Sequence, residues 1–338
     1  MSRSVPAVRQ MTDADVGPVV QLLSTALGPP PAGVDRGELF AWKHLGNPFG
    51  RSLALVAELD GKIVGLRAFM RWRFESREGE VPAVRAVDTA TDPSLQRRGV
   101  FTALTRAALK ACESEGVAFV FNTPNERSLP GYLKLGWSRV ARWPVRIRVR
   151  RPLRLLGAAA RRDLRSGPPF PPPAASRLEP AAEFLERPEV EALVESTDRP
   201  SGLLATSRSS LYLRWRYGEG PVPYFALAAG DPPSAFAIVR LRKRGTLREA
   251  VVCELLSAPG DRGSLRGILR SIPEAAGADH AIAHFGSGWP SHRALREARY
   301  RRIPRAGITF VARPVSGVAP NPLEARGWAL TLGDLELF

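Results

Sequence analysis

Residues 53–74 constrain the fold of this chain more than any other stretch. Leu53–Leu59 is an apolar run suited to a strand, Asp60-Gly61 follows, and Lys62 to about Phe74 runs back as a second strand. Asp-Gly between two such runs is a strong hairpin signal, because a tight two-residue loop needs positive φ at both positions. A turn at Glu78-Gly79 leads into a third strand, Val81–Ala90. A meander of this kind must be covered by other elements before it has a core, and the flanking sequence supplies helices. Thr12 reads as an N-cap for a helix carrying Val16, Val19, Val20, Leu23 and Leu27 at helical spacing. Arg36–Leu45 reads as a second helix, stopped by Gly46-Asn47-Pro48. Downstream, Asp92-Pro93 breaks the third strand, and Gly99–Glu115 places Val100, Leu104, Ala107, Ala108 and Ala111 on one helical face. Val117–Phe121 is then a short buried strand, Asn125–Leu135 a helix closed by Gly136, and Ser138–Val149 an extended segment. The expectation is an α+β domain over residues 1–150.

The same order recurs. Residues 151–180 read as an Arg/Pro-rich linker, with six prolines in Pro168–Pro180. Beyond it, Ser207–Tyr217 is helical, and Tyr224–Ala229, Ala235–Leu241 and Glu249–Leu256 are strands. Asp261–Ile272 is a helix, Ala278–Phe285 a strand and His292–Ala298 a helix. This predicts a second copy of one fold over residues 181–338, with Trp328–Phe338 as a C-terminal strand. Each copy is expected to be a mixed, mostly antiparallel sheet flanked by helices.

Composition narrows the classes. A hydrophobic fraction of 44% with 24% charged residues is ordinary for a globular protein. Cys112 and Cys253 are far apart and match no metal spacing, which excludes a disulfide-dense scaffold and favours a reducing compartment. The longest uncharged stretch, Val16–Val34, holds Pro18 and the run Pro29–Pro31 and cannot be a spanning helix. Asp13 and Asp15 argue against an export signal, so a cytoplasmic protein is expected. The net charge is +16, and much of it comes from ten arginines in Arg139–Arg165, against one acid, Asp163. Arg146, Arg148 and Arg150 alternate with Val145, Ile147 and Val149, the pattern of a strand with one solvated face. The four histidines, His44, His280, His284 and His292, form no metal motif, and no metal is expected.

The chemistry concentrates in Val87–Phe101. A strand ends, the chain turns, and Gln96-Arg97-Arg98-Gly99 leads into a helix. The first turn of a helix has free N–H groups and the positive end of the dipole, and glycine lets an anion approach closely. Arg97 and Arg98 add charge. This segment resembles the acyl-CoA signature of the GCN5-related N-acetyltransferase (GNAT) superfamily, Gln/Arg-x-x-Gly-x-Gly/Ala, with Phe101 departing from the small last residue. The resemblance implies that Gln96, Arg97, Arg98, Gly99, Val100 and Phe101 hold the pyrophosphate of acetyl-CoA. It also implies that the strand backbone at Asp88, Thr89 and Ala90 polarises the thioester carbonyl.

Asn125 and Tyr132, followed by Leu133-Lys134-Leu135-Gly136-Trp137, resemble the family's second signature. Asn125 and Ser128 would then lie along the cofactor, and Tyr132 would be the general acid for the departing thiolate. Asp88 is one candidate for a base, and Asp334, Glu336 or the terminal carboxylate of Phe338 is another. The terminus is included because it reaches the active site in the enhanced-intracellular-survival type of acetyltransferase, which this tandem arrangement resembles. Trp42 and Phe49 fall where this fold lines its acceptor cleft. The second copy carries Pro259-Gly260-Asp261-Arg262-Gly263-Ser264 at the matching junction, a degraded loop with an acid where a phosphate would lie. The function implied is acetyl transfer to a primary amine of a small molecule or peptide, without nucleic acid or a membrane anchor. Two rivals stand beside it. One is an inert binding module for nucleic acid or an anionic surface; the other is an aminoacyl-tRNA-dependent transferase.

Overall fold

The structure, a computed structural model, describes residues 6–30 and 33–336. The chain packs as two compact units, Met1–Ala141 with Phe310–Ala325, and Arg142–Thr309 with Arg326–Phe338. In chain order the first unit holds β1 (Ala7–Gln10), α1 (Val16–Leu27), α2 (Arg36–His44), β2 (Leu53–Leu59), β3 (Lys62–Ser76), β4 (Gly79–Thr91), α3 (Val100–Ser114), β5 (Phe119–Asn122) and α4 (Leu129–Lys134). From β6 (Ser138–Val149) the chain passes through α5 (Pro152–Ala160), β7 (Ser166–Pro169), β8 (Glu179–Pro180), α6 (Ala181–Leu185), α7 (Pro188–Ser196), β9 (Ala205–Thr206) and α8 (Ser210–Tyr217). Then come β10 (Phe225–Ala229), β11 (Ala235–Arg244), β12 (Leu247–Ser257), α9 (Arg262–Ala275), β13 (His280–Ala283), α10 (Pro290–Glu297), β14 (Arg301–Pro314) and α11 (Leu332–Leu335).

In the first unit β1, β2, β3 and β4 pair antiparallel, and β5 joins β4 in parallel. The β2–β3 loop is the Asp60-Gly61 turn, with φ of 49° and 72°. The other edge of β5 is closed by the end of β14, Val311 opposite Asn122 and Pro314 opposite Phe119. Helices cover both faces. Val19, Leu22, Leu23 and Phe40 from α1 and α2 pack on Val56, Leu66 and Ala90. On the opposite face Val100, Leu104 and Ala108 of α3 pack on Leu55, Ala57, Phe69 and Val84. α3 sits close because position 65 is glycine: a Cβ there would lie 2.7 Å from Val100 and 2.9 Å from Leu104.

The second unit repeats this order. β8, β10, β11 and β12 pair antiparallel, β13 joins β12 in parallel, and α9 packs across β10, β11 and β12. The far edge of β13 is closed by β6, with His280 opposite Val149. The segment expected as linker, 151–180, carries α5 and the short strands β7 and β8; β7 pairs with β11 and β8 with β10. Among the described residues of the segment expected as a strand, Trp328–Phe338, only Trp328 and Thr331 make isolated β-bridges, and Leu332–Leu335 form a helical turn, α11. Thr331 caps it reciprocally with Asp334, and such a capping box commits the backbone to a helix start. Asp334 is then buried against Arg208 at 2.6 Å, and Arg208 also holds Glu254 at 2.9 Å. No helix among the described residues is long and apolar enough to cross a membrane.

Candidate functional site: a bulged strand beside an uncapped helix

The site begins where β3 and β4 fall out of step. Arg67 pairs with Thr89 and the next residue, Ala68, with Val87, so Asp88 is one residue too many. Its φ is 35°, the signature of a bulge that re-aims the strand. Beyond the bulge the parallel partner is lost as well, because β5 pairs with β4 only over Ala83–Arg85. Residues 87–90 thus keep β3 on one side and leave backbone groups on the other, the kind of edge that an extended, amide-bearing chain pairs with.

Asp88 is pinned. It accepts hydrogen bonds from Lys43 and, at 2.8 Å, from His44 Nε2, both on α2. His44 Nδ1 in turn accepts from the Ser52 hydroxyl at 2.8 Å. Burial alone would push the Asp88 carboxyl up; the Lys43 ammonium and the His44 N–H outweigh that and hold it well below the usual carboxylate range. Burial pushes His44 down, so the ring is neutral at pH 7. A carboxylate held this firmly is a poor proton acceptor. The geometry gives Asp88 the work of fixing the bulge, which counts against it as a base.

The second part is the start of α3. Gly99 is the N-cap with φ 85°, and no side chain caps the helix. The first bond back into the helix is from Ala103 N to Gly99 O, so the N–H groups of residues 100–102 point out of the helix end. Arg97, also at positive φ (63°), and Gln96 stand exposed beside them. A cavity of about 540 Å³ lies here, walled by Thr89, Gln96, Arg97, Gly99 and Phe101. It joins the bulged strand to the uncapped helix end.

Tyr132 on α4 is buried, edge-on to Phe101 and Trp137. Its hydroxyl oxygen accepts from Arg67 Nη1 at 3.2 Å, and the same nitrogen donates to Thr89. Arg67 is 0% exposed. Its guanidinium lies 4.7 Å from the ring centre of Phe69, 5.2 Å from Tyr132 and 5.4 Å from Phe101. Among the described residues it makes no ion pair, and its Nε and Nη2 have no hydrogen-bond partner. A buried cation without a carboxylate is costly to keep, and this one is aimed at the Tyr132 oxygen. Sequence reasoning missed Arg67, Lys43 and His44. The one signal was Arg67 as the single charged residue in the run Ile63–Met70 of β3.

Other expected residues lie elsewhere. Asn125 is exposed, and its Oδ1 accepts from Arg127 N, Ser128 N and the Ser128 hydroxyl, so both Asn125 and Ser128 serve the turn that starts α4. Phe49 packs edge-on to Trp72 at 6.2 Å, in a turn that Asn47 ties to Arg71 O. Trp72 is five residues from Arg67, about 17 Å along a strand. Trp42 stands on α2 just before Lys43. Phe338 lies outside the described residues.

The matching junction of the second unit is closed to an anion. Asp261 caps α9, accepting from Ser264 N at 3.0 Å and from the Ser234 hydroxyl at 2.8 Å. The carboxylate occupies the place a phosphate would take. No cluster of three or more metal-ligating side chains occurs among the described residues.

The site is an uncapped helix start facing a bulged, half-open strand. Residues 7–140 match the family described as acetyltransferase (GNAT) domain, so the chain carries a GNAT domain over these residues and is an acyltransferase. No curated protein matches the chain in sequence. Solved structures do match in fold. A Kribbella flavida GCN5-related N-acetyltransferase is 19% identical with a TM-score of 0.56, over 98% of this chain and 82% of its own. Eis1 from Mycobacterium abscessus is 19% identical with a TM-score of 0.54, over 92% and 74%. An Anabaena variabilis GCN5-related N-acetyltransferase is 12% identical with a TM-score of 0.57, over 96% and 84%.

Proposed function

We propose that the first unit transfers an acetyl group from acetyl-CoA to a primary amine of a small molecule or peptide, and that the second unit is a degenerate copy without a donor site. The observation that carries this reading is the uncapped start of α3 beside the open edge of β4. The free N–H groups of residues 100–102, with Arg97 beside them, suit a pyrophosphate. The open edge at residues 87–90 suits the amide-bearing arm, and a backbone N–H there would polarise the thioester carbonyl.

The amine nitrogen attacks the carbonyl carbon, the C–S bond breaks, and the Tyr132 hydroxyl gives its proton to the sulfur. Arg67, already donating to the Tyr132 oxygen, stabilises the phenolate left behind. The proton shed by the amine restores the phenol through solvent. Asp88 stays ionised between Lys43 and His44 and keeps the bulge in shape.

Calorimetry with acetyl-CoA, followed by a screen of amine acceptors, tests the reading. One molecule of acetyl-CoA should bind per chain. Tyr132→Phe should lower kcat by about 10²–10⁴-fold with little change in acetyl-CoA affinity. Two equivalent sites, or an unchanged kcat where chemistry limits the rate, would overturn it.

A further inference from the structure

The second unit contains a cavity of about 820 Å³ whose walls are strongly basic. Arg146 reaches it from β6, Arg296 from α10, Arg299 from the turn that follows, and Arg301 and Arg302 from the start of β14. None of these five makes an ion pair among the described residues. The one acid in the wall, Glu297, is held by Arg293 at 2.9 Å. Two buried arginines of this unit are matched by carboxylates, Arg208 by Glu254 and Asp334, and Arg242 by Glu249 and Glu336. The crowding is felt: burial and the neighbouring Arg302 and Arg296 push Arg146 below the ordinary arginine range. Like charges held this close, with no counter-charge from the chain, favour a multiply charged anion in the cavity.

We infer that this cavity is a binding site for a compact oligophosphate, a ligand carrying about four or five negative charges on adjacent phosphates. Guanidinium groups bind phosphate oxygens as planar two-toothed forks, so the count and residue type fit phosphate better than a single carboxylate. The volume lies within the roughly 300–1,000 Å³ range of small-ligand sites. A nucleic-acid strand would need an aromatic face for its bases. Two rings line the wall: Tyr300 is buried and donates its hydroxyl to Leu269 O at 3.1 Å, and the small His292 ring is tied through Nδ1 to Phe285 O at 2.7 Å, so the wall has no Phe, Trp or exposed Tyr face. The site is separate from the donor site of the first unit and stands whether or not that reading holds.

The test is calorimetry of the full chain with inorganic tripolyphosphate, comparing wild type with Arg296→Ala/Arg302→Ala. Both side chains are exposed, so the variant should unfold at the wild-type temperature. Wild type should show a saturable site that weakens as salt is raised. Removing one charge-assisted hydrogen bond should weaken binding about tenfold or more, so the double variant should bind roughly 100-fold more weakly. Arg296→Lys/Arg302→Lys should fall between, because charge is kept and the fork is lost. Any binding at the start of α3 is common to all the proteins and cancels in the comparison. ATP in place of tripolyphosphate distinguishes a nucleotide from a free phosphate chain: a tighter fit means the nucleoside is also held. Equal affinity in wild type and the double variant overturns the assignment. So does a single-stranded oligonucleotide that binds the cavity at least 100-fold more tightly than tripolyphosphate.

Discussion

Gly99→Ala separates the stability of the α3 start from its ability to hold an anion. In the free protein the added methyl has room, since nothing lies within 4 Å of its position. The cost is in the backbone, where φ is 85°. A left-handed residue other than glycine costs about 1–2 kcal/mol. For a unit of this size that is a fall in Tm of about 2–8 °C. Bound pyrophosphate changes the balance, because the open space over Gly99 is where its oxygens would meet the N–H groups of residues 100–102. Displacing even one charge-assisted hydrogen bond costs about 1.5–3 kcal/mol, so the dissociation constant for CoA should rise roughly 10- to 150-fold. Gly263→Ala, in the first turn of α9, is the control. Its φ is not positive and its new methyl would be 3.8 Å from Asp261, so stability and CoA binding should both stay near wild type. Calorimetry and thermal unfolding on the three proteins give both numbers. Normal CoA binding by Gly99→Ala would refute the reasoning, since the anion would then not sit on this helix end.

Two further outcomes follow from buried groups. Burial lowers His284 to about 4, with its Nδ1–H donating to Pro144 O at 2.8 Å. The folded protein keeps the ring neutral while the unfolded chain takes up a proton below about 6.5, so stability is full above that pH. It should fall by up to about 3 kcal/mol as pH drops from about 6.5 to 4; a Tm that stays flat over this window would refute the assignment. Arg67→Met removes an unpaired buried charge while filling similar space, so it should leave stability unchanged or raise it by about 1–2 kcal/mol. It should nonetheless lower kcat about tenfold or more in an acyl-transfer assay. Loss of stability with kcat intact would show that Arg67 serves packing alone.

What could be read from the sequence was local. The Asp60-Gly61 hairpin, the α3 face and the Gly99 junction each rest on residues a few positions apart, and each forms at or near its expected place. The site's electrostatics rest on distant pairs. Lys43 and His44 meet Asp88 across 45 and 44 residues, and Arg67 meets Tyr132 across 65. No periodicity joins such positions. The helix expected over Asn125–Leu135 starts only at Leu129, because the Asn125 side chain takes the backbone N–H groups of Arg127 and Ser128. β14 went unread because Pro304, Gly307 and four arginines interrupt its apolar pattern. Its partnership with β5 links residues 311 and 122.

That pairing bears on how the protein is made. The acyltransferase domain is not finished when its own family segment leaves the ribosome, because Val311–Pro314 must still arrive to close β5. At about 5–20 residues per second, the stretch between residues 141 and 314 takes roughly 9–35 s to synthesise. During that wait the second edge of β5 lacks its native partner, and an open strand edge is a template for mispairing with another chain. A nascent chain stalled between the two units would carry the uncapped start of α3 and α4 with Tyr132, yet lack the strand that completes their sheet. Activity should therefore appear only after Pro314 has been made.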